Sequence, residues 1–394
     1  MKKSIIYIIV FIDIMILLFQ TSQVSISYNE ANIFYGDVTF LQQLVSFSTS
    51  IFGQNDFSLR LPMILLHLGS VFFLYETSKK YIHTERNRIW LVLIFILLPG
   101  IVSSAILVNN AGLIIFGLFL YVYISQKYSE KVLFALSFIY LFVNAGFIYL
   151  FIGTSVYYLY KKRYAITVYY ITLLLLSLFL YGFETYGIPK GHFLDTLGLY
   201  ATIFTPIIFV FIFYALYRRY LTSQTDLIWF LSSTVLVLSL LLSFRQKIQI
   251  EYVAPYLMIS LPIVAQTFIS SYRIRLKQFR KRYKLIFVLS LLFLAINYLL
   301  VIFNKELYPF FDNPKKHFVY KNHIASELAK KLTLAGIECV HTNNVMALRL
   351  EFYGIESCDK YYLIEQKLTK DTNVTISYKG RVLYSATVTK INKK

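Results

Sequence analysis

The stretch IFGQNDFSLRLPMILLHLGSVFFLY, residues 51–75, passes from a polar loop into a long apolar helix. Residues 59–78 make an apolar run of about the length that crosses roughly 30 Å of hydrocarbon. Arg60 lies at the start of that run, where a guanidinium can meet an anionic headgroup or a phosphate. The stretch therefore predicts a membrane-spanning helix with a cation at its external end, which either binds a phosphate or only extends to the membrane interface.

Apolar runs of similar length recur along the chain. Of its 394 residues, 57% are hydrophobic and only 15% are charged, which is outside the balance of a soluble domain. We predict an α-helical polytopic membrane protein with about eleven spans. The predicted spans are 4–22, 59–78, 89–107, 111–126, 131–146, 148–160, 165–183, 198–217, 226–244, 253–271 and 285–303. The first has no small-residue cleavage site after it, so we interpret it as a retained helix.

The net charge of +19 is concentrated in alternate loops. The basic clusters are Lys2/Lys3, Lys79/Lys80/Arg86/Arg88, Lys127/Lys131, Lys161/Lys162/Arg163, Arg218/Arg219 and residues 273–284. The positive-inside rule places these clusters in the cytoplasm, near anionic lipid, so no nucleic-acid partner is predicted. The N-terminus is then cytoplasmic, and the loop 23–58 and the tail from residue 304 face outside. In a bacterium this is the inner membrane with a periplasmic tail.

The tail from residue 304 changes character, because charged residues become frequent. The stretch 322–336 has apolar positions at helical spacing, with Asn322 as N-cap and Gly336 just after the helix. A second helix, capped by Asn343 or Asn344, follows and ends near Gly354. The predicted domains are therefore a membrane module, 1–303, and a periplasmic α/β domain, 304–394.

The same tail carries strand and modification signals. Strands are predicted at "IECVHT", at "KYYLIE" and in residues 373–391, the last folded at Lys379-Gly380. Cys339 and Cys358 either form a disulfide in an oxidising space or remain two unpaired buried thiols. Asn373 heads an Asn-x-Thr sequon with Asp371 before it, a form that resembles bacterial acidic sequons and also arises by chance.

The external loop 23–58 is long for a connector and carries two acids, Glu30 and Asp37. Its residues 31–53 have apolar positions suited to helices that lie along the membrane surface. These features indicate a site in this loop, although both acids are also compatible with solvated positions near the headgroups.

Four sequence features occur along this chain in the same order as in one superfamily of enzymes. An acidic-pair position early in the loop holds Asn29-Glu30, and IFGQNDFSLRLP (51–62) leads into the second span. LLPGIVSSAILVNNAGLIIFGLFLYVY (97–123) joins the third and fourth spans, and RQKIQIEYVAPYL (245–257) precedes a late one. The chain thus resembles the GT-C glycosyltransferases that use lipid-phosphate sugars, in the branch of dolichyl-phosphate-mannose protein mannosyltransferases and lipid A aminoarabinose transferase.

The sequence departs from that family at acidic positions. Asn29 and Asn110 stand where the family has Asp, and Ala145-Gly146 replaces a frequent Lys-Gly. An amide cannot remove a proton and is a poorer ligand for Mg²⁺ or Mn²⁺ than a carboxylate. Either Glu30 or Asp37 supplies the carboxylate, or the chemistry is altered, or catalysis is lost. Asn109 and Asn110 also suit a helix cap.

The resemblance implies an inverting displacement at the anomeric carbon of a polyprenyl-phosphate-linked sugar. A carboxylate, Glu30 first and Asp37 second, would deprotonate an unidentified periplasmic acceptor. In some members a divalent cation, Mg²⁺ or Mn²⁺, helps to stabilise the departing lipid phosphate. The predicted residues for the sugar and lipid phosphate are Asn29, Arg60, Asn110, Lys190, His192, Arg245, Lys247 and Tyr252.

Three functions remain open from the sequence. The first is a membrane glycosyltransferase whose tail covers the groove or selects the acceptor. The second is a catalytically inactive GT-C protein that binds lipid-linked sugar, which the two Asn residues favour. The third is a transporter or flippase, for which Asp13, in the middle of the first span, is the only support and a weak one. We expect Asp13 to pair inside the bundle.

Overall fold

The computed structural model describes residues 2–182, 190–311, 313–366 and 373–390. These residues are mostly helical, with one small sheet near the C-terminus. The α-helices are Lys2–Gln23 (α1), Tyr28–Tyr35 (α2), Phe40–Phe52 (α3), Asp56–Ser78 (α4), Glu85–Leu97 (α5), Pro99–Ile106 (α6), Asn110–Lys127 (α7), Glu130–Val143 (α8), Ile148–Tyr160 (α9), Tyr164–Tyr181 (α10), Phe193–Phe204 (α11), Pro206–Leu221 (α12), Leu227–Leu242 (α13), Ile250–Met258 (α14), Leu261–Ile274 (α15), Lys277–Ile302 (α16), Ala325–Leu334 (α17) and Asn344–Glu351 (α18). The strands are Tyr361–Glu365 (β1), Val374–Tyr378 (β2) and Arg381–Lys390 (β3).

Each predicted span overlaps a helix or a bent pair of helices. The span 131–146 ends earlier than predicted, because α8 stops at Val143 and a 3-10 turn follows. Residue 183 lies outside the described residues. Four helices (α1, α4, α10 and α16) are long and apolar enough to cross a membrane, or up to seven spans if each bent pair counts once. The bends are 63° at α5/α6, 103° at α11/α12 and 41° at α14/α15. Pro99, Pro206 and Pro262 lie at these breaks. Proline has no backbone N–H to donate to the preceding turn, which explains why the helix is interrupted there. The count of eleven spans stays a prediction.

The chain forms two compact units. The first comprises Met1–Asp13, Met63–Ala105 and Asn109–Tyr298, and the second comprises Ile14–Pro62, Ile106–Val108 and Leu299–Lys394. The C-terminal segment therefore shares its unit with the first loop, whereas the sequence predicted a boundary at residue 303. Main-chain bonds explain this grouping, since the Ser25 amide donates to the Asn322 carbonyl at 2.8 Å.

The first unit is a helical bundle with a large apolar core. A Cβ at Gly117 of α7 would lie 2.5 Å from the Phe147 ring, so glycine permits close packing there. Asp13 of α1 is buried and lies 2.8 Å from His67 Nε2 of α4. The expected pairing of Asp13 inside the bundle is confirmed, and it satisfies a polar group that is costly to bury alone.

The second unit contains an antiparallel sheet of order β1-β3-β2, packed against α17. Lys379 and Gly380 join β2 to β3 with φ of 47° and 80°, the positive values that a tight hairpin turn requires. The predicted turn at Lys379-Gly380 is therefore confirmed, as are the strands on either side of it over residues 374–390. Asp371 of the sequon lies outside the described residues.

The observed ends of the two helices in the tail agree only in part with the cap residues predicted from the sequence. Gly336 follows α17 with φ of 71°, and the Asn343 side chain caps α18 by accepting from Met346 N at 2.8 Å. The N-cap prediction for Asn322 is wrong, because α17 begins only at Ala325, after a 3-10 turn that contains Asn322. A short turn thus intervenes where the sequence suggested a continuous helix.

The predicted strand IECVHT is wrong as a regular strand. Its residues make two isolated bridges instead, Cys339 with Glu356 and His341 with Tyr362. Because the two partners belong to different segments, no ladder continues beyond a single residue pair. A strand needs consecutive pairing with one neighbour, which a short sequence pattern does not reveal.

Cys339 and Cys358 form a disulfide, which decides between the two alternatives left open by the sequence. The bond closes a loop with a sequence separation of 19 residues. Replacing both cysteines by Ser should lower the free energy of unfolding of the second unit by about 3 kcal/mol. Pulse proteolysis in urea, with the wild type under reducing conditions as control, measures this loss. Unchanged stability would contradict a stabilising role for the bond.

Candidate functional site

Glu30 lies in the first turn of α2, where it closes a capping box. The Ser27 side chain accepts from Glu30 N at 3.2 Å, and Ser27 N donates to Glu30 Oε2 at 2.8 Å. This reciprocal pair satisfies backbone amides that the first helical turn leaves free. Asn29, the preceding residue, is exposed. The local sequence thus fixes the position of the Glu30 carboxylate before any tertiary contact.

The Glu30 carboxylate is held from two further directions within the second unit. Arg60 Nε donates to Oε1 and Arg60 Nη2 to Oε2, each at 3.0 Å. The Val108 amide donates to Oε1 at 3.0 Å. With the Ser27 bond, the carboxylate accepts four hydrogen bonds, and its residue is only 1% exposed. This is a bidentate, buried ion pair with a satisfied acceptor.

Arg60 uses its remaining N–H groups on backbone carbonyls. Nη1 donates to Thr21 O at 3.3 Å and to Val24 O, and Nη2 donates to Ser25 O at 3.1 Å. All five guanidinium donors are therefore engaged, and Arg60 is fully buried. The predicted role of Arg60 in binding lipid phosphate does not fit this geometry. Arg60 instead ties the end of α1 to the first loop.

The Glu30 environment also argues against a general base. Burial raises the pKa of the Glu30 carboxyl, but the charge and hydrogen bonds of Arg60, together with the amides of Ser27 and Val108, lower it by more. The net pKa therefore lies below the ordinary value. A carboxylate with a low pKa and occupied lone pairs is a poor proton acceptor. The role of general base predicted for Glu30 thus does not fit this structure. Asp37 is exposed in the turn after α2 and stays a prediction.

A second polar cluster lies in the first unit, at the N-terminus of α7. The Asn109 side chain caps α7 by accepting from Gly112 N at 3.0 Å, so the cap interpretation of Asn109 is confirmed. Asn110 Oδ1 accepts from Asn144 Nδ2 at 2.8 Å, and Asn144 Oδ1 accepts from Gly146 N at 2.8 Å. These amides join the start of α7 to the segment that connects α8 and α9.

Glu251 brings a carboxylate to this cluster. It is exposed, lies in the first turn of α14, and its carboxylate is hydrogen-bonded to the backbone of Asn110. Sequence reasoning missed Glu251 as a site residue. The signal was present, because Glu251 directly precedes Tyr252 inside the stretch 245–257 that carries the family resemblance.

Close packing holds Tyr252 beside the same cluster. A Cβ at Gly146 would lie 3.1 Å from Tyr252 Cδ1 and 2.3 Å from Ile114 Cδ1, so the small residue permits this approach. Tyr256, one helical turn after Tyr252, donates its hydroxyl to Gly146 O at 2.8 Å. The predicted site residues Asn110 and Tyr252 thus meet at one edge of the bundle.

The predicted cations in the loops before α11 and α14 are connected by backbone and ring contacts. His192 N donates to Ser243 O at 2.7 Å, and the rings of Phe193 and Phe244 stack at 4.8 Å. These contacts join the loop of Lys190 and His192 to the loop of Arg245 and Lys247. All three predicted cations, Lys190, Arg245 and Lys247, are exposed.

We define the α14 edge as two groups of the first unit that are neighbours along the chain at residues 245–252. They are the polar cluster at the start of α7 and the two connected loops before α11 and α14: Asn110, Asn144, Lys190, His192, Arg245, Lys247, Glu251 and Tyr252. It combines one exposed carboxylate with cations and side-chain amides. His192 Nδ1 also lies 3.2 Å from Asp195 Oδ2, so Asp195 orients that imidazole. The edge offers a proton acceptor and anion-binding groups on neighbouring segments.

The residues of the α14 edge do not make a metal site by themselves. Within the described ranges, no three His, Cys, Asp or Glu side chains gather in a way that could hold a metal ion. The Glu251 carboxylate is hydrogen-bonded to the Asn110 backbone. One carboxylate provides few of the oxygen ligands that Mg²⁺ or Mn²⁺ needs. The divalent cation stays a prediction.

No protein-family model matches the sequence. No curated protein matches it either. Among solved structures, the chain is similar to the crystal structure of ArnT from Cupriavidus metallidurans in the apo state, with a TM-score of 0.58 and 10% sequence identity over 98% of both chains. At this identity the similarity concerns the fold alone. The chain therefore shares the overall fold of that ArnT structure.

Proposed function

We propose that this protein is a membrane glycosyltransferase that moves a sugar from a polyprenyl-phosphate carrier to an acceptor outside the cytoplasm. The observation that carries the proposal is the Glu251 carboxylate at the start of α7, within a GT-C fold. The family resemblance expects an acidic group at that place, and residue 110 is Asn. Glu251 supplies a carboxylate there from a different helix.

In the proposed reaction, Glu251 takes the proton of the acceptor hydroxyl. The oxygen attacks the anomeric carbon, and the bond between that carbon and the phosphate oxygen breaks with inversion. The negative charge that develops on the lipid phosphate is stabilised by Lys190, Arg245 and Lys247. The bond from the Asn110 backbone orients the Glu251 carboxylate, which reduces the entropy lost on reaching the transition state.

The proposed location is the bacterial inner membrane, with the α14 edge on the periplasmic side. The positive-inside rule supports this orientation, since the basic clusters lie in the alternate loops. The disulfide Cys339–Cys358 supports an oxidising compartment for the second unit. The acceptor, whether protein, lipid or glycan, would be selected on this side.

A catalytically inactive sugar-lipid binder is the alternative that one observation favours. The acid that the sequence predicted as base, Glu30, is fully engaged by Arg60, and positions 29 and 110 are amides. A protein that binds without reacting would keep the GT-C fold and its cations and need no free carboxylate. Under this alternative, Glu251 only caps α7.

Transfer of labelled sugar tests the proposal. The purified chain is placed in vesicles that contain polyprenyl-phosphate-linked radioactive sugars from bacterial lipid extracts, together with membrane and periplasmic fractions as acceptors. We expect label to leave the carrier and to appear in a new product. Retention of bound sugar-lipid without product would instead establish the inactive binder. If the chain neither transfers the sugar nor binds the sugar-lipid, both the transferase proposal and the inactive-binder alternative are overturned.

A further inference from the structure

A cavity of about 330 Å³ opens in the first unit, where its lining includes the end of α7 opposite to Asn110. Its lining comes from the ends of α4, α7 and α9 and the starts of α8 and α13. These are the loops whose Lys and Arg residues predict the cytoplasmic side. The cavity therefore lies at the predicted membrane interface opposite to the proposed transfer site, and nothing in the proposed reaction uses it.

Both carboxylates of the lining are already neutralised. Glu130 pairs with Arg163, whose Nη2 lies 2.8 Å from Glu130 Oε2. Asp226 accepts from Tyr81 Oη at 2.6 Å and from Arg219 Nη2 at 3.2 Å. The negative charges of the cavity are therefore compensated by cations and a hydroxyl of the protein.

Two lysines of the lining remain as unpaired cations. Within the described residues, neither Lys80 nor Lys161 lies in an ion pair with a carboxylate. Both are exposed, and Lys161 Nζ lies 5.9 Å from the Tyr157 ring centroid. The cavity thus carries a net positive charge at its opening, next to aromatic surface.

Tyrosines form much of the wall. Tyr81 and Tyr158 are buried, with exposed fractions of 6% and 5%, and Tyr157 and Tyr128 lie beside them. Flat, amphipathic rings bind the carbon skeleton of a ligand, while their hydroxyls can donate to oxygen. A volume near 330 Å³ is at the lower end for small-molecule sites, so the ligand that fits is small.

We propose that this cavity binds a phosphate ester, with Lys80 and Lys161 contacting the phosphate and the tyrosines contacting its organic part. Ammonium groups are strong point-charge partners for phosphate. Two sources supply this chemistry at the predicted interface: the headgroup of an anionic phospholipid and a soluble phosphate monoester. Basic pockets between membrane helices on the cytoplasmic side commonly hold lipid headgroups.

The test uses the full chain in detergent micelles. Native mass spectrometry measures retention of phosphatidylglycerol against phosphatidylcholine, and calorimetry measures binding of glycerol 3-phosphate. The variants are Lys80→Gln/Lys161→Gln, the charge-conserving Lys80→Arg/Lys161→Arg, and Lys131→Gln. Lys131 is an exposed lysine next to Glu130 that does not line the cavity, so it controls for a general loss of charge.

We expect at least one of the two phosphate compounds to bind, and the double Gln variant to weaken that binding by about tenfold or more. The Arg variant and Lys131→Gln should retain it. Selective retention of phosphatidylglycerol identifies a lipid headgroup, and binding of glycerol 3-phosphate identifies a soluble ester. Binding of neither compound, or binding that is equally strong in the double Gln variant, overturns the proposal. If the double Gln variant does not fold, the single variant Lys161→Gln is compared with Lys131→Gln. An equal loss of binding in these two variants overturns the proposal.

Discussion

Glu251→Gln is expected to lower the rate of sugar transfer by about 10²–10⁴-fold, the usual contribution of a general base. Gln keeps the size of the side chain and can still accept the bond from the Asn110 backbone, so the position of α14 should not change. Only the ability to remove a proton is lost. Initial rates in vesicles measure the loss, and binding of the sugar-lipid should stay within a few-fold of the wild type.

The matched control is Glu85→Gln. Glu85 and Glu251 both lie in the first turn of a helix, so each substitution removes a similar favourable charge from a helix N-terminus. Transfer should be retained in Glu85→Gln. Adding Asn110→Asp to Glu251→Gln places a carboxylate on the residue whose backbone contacts position 251. This second substitution should recover part of the transfer rate. Full activity of Glu251→Gln would remove the proposed base and leave Asp37 as the acid to test.

Glu30→Gln is expected to destabilise the second unit by about 3 kcal/mol, because the fully buried Arg60 loses its bidentate carboxylate partner. Asp56 Oδ1, which lies 3.8 Å from Arg60 Nη1, compensates only part of that charge. Proteolysis of a transiently opened unit follows the equilibrium population of the open form when opening is fast. Cleavage within the second unit should therefore become roughly 100-fold faster or more. Both tryptophans, Trp90 and Trp229, belong to the first unit, so protease sensitivity is a more direct probe here than Trp fluorescence.

The control for this stability effect is Glu130→Gln. The Glu130–Arg163 pair has the same residue types and two contacts, but its side chains are 45% and 49% exposed. An exposed pair contributes about 0–1 kcal/mol, so Glu130→Gln should change protease sensitivity little. Equal, small effects of the two variants would contradict a structural role for Glu30 and would restore its candidacy as a base.

The same ion pair predicts a direction for pH dependence. The pKa of Glu30 is lower in the folded state, so its contribution to stability is present above the pKa of the unfolded chain. That contribution is lost as the pH falls through the lower folded-state value. Acid should therefore open the second unit of the wild type, while Glu30→Gln should show less of this dependence.

The sequence determined the apolar helices and the two helices of the tail, whereas the breaks inside 89–107, 198–217 and 253–271 were not predicted. Apolar runs report their own burial in lipid, and proline and cap residues act on the adjacent backbone, so such features can be read locally. The hairpin at Lys379-Gly380 was predicted for the same reason. The family resemblance also led to a fold that agrees with the similarity to the ArnT structure.

Only the tertiary structure decided which charged groups are occupied. Glu30 and Arg60 are 30 residues apart in the chain, and each looked available for chemistry until their mutual contact was seen. Glu251 and Asn110 are farther apart, yet one hydrogen bond brings a carboxylate to the helix end where the sequence shows only an amide. The physical reason is that the availability of a charged group depends on its partners, and distant segments supply those partners only when the chain folds.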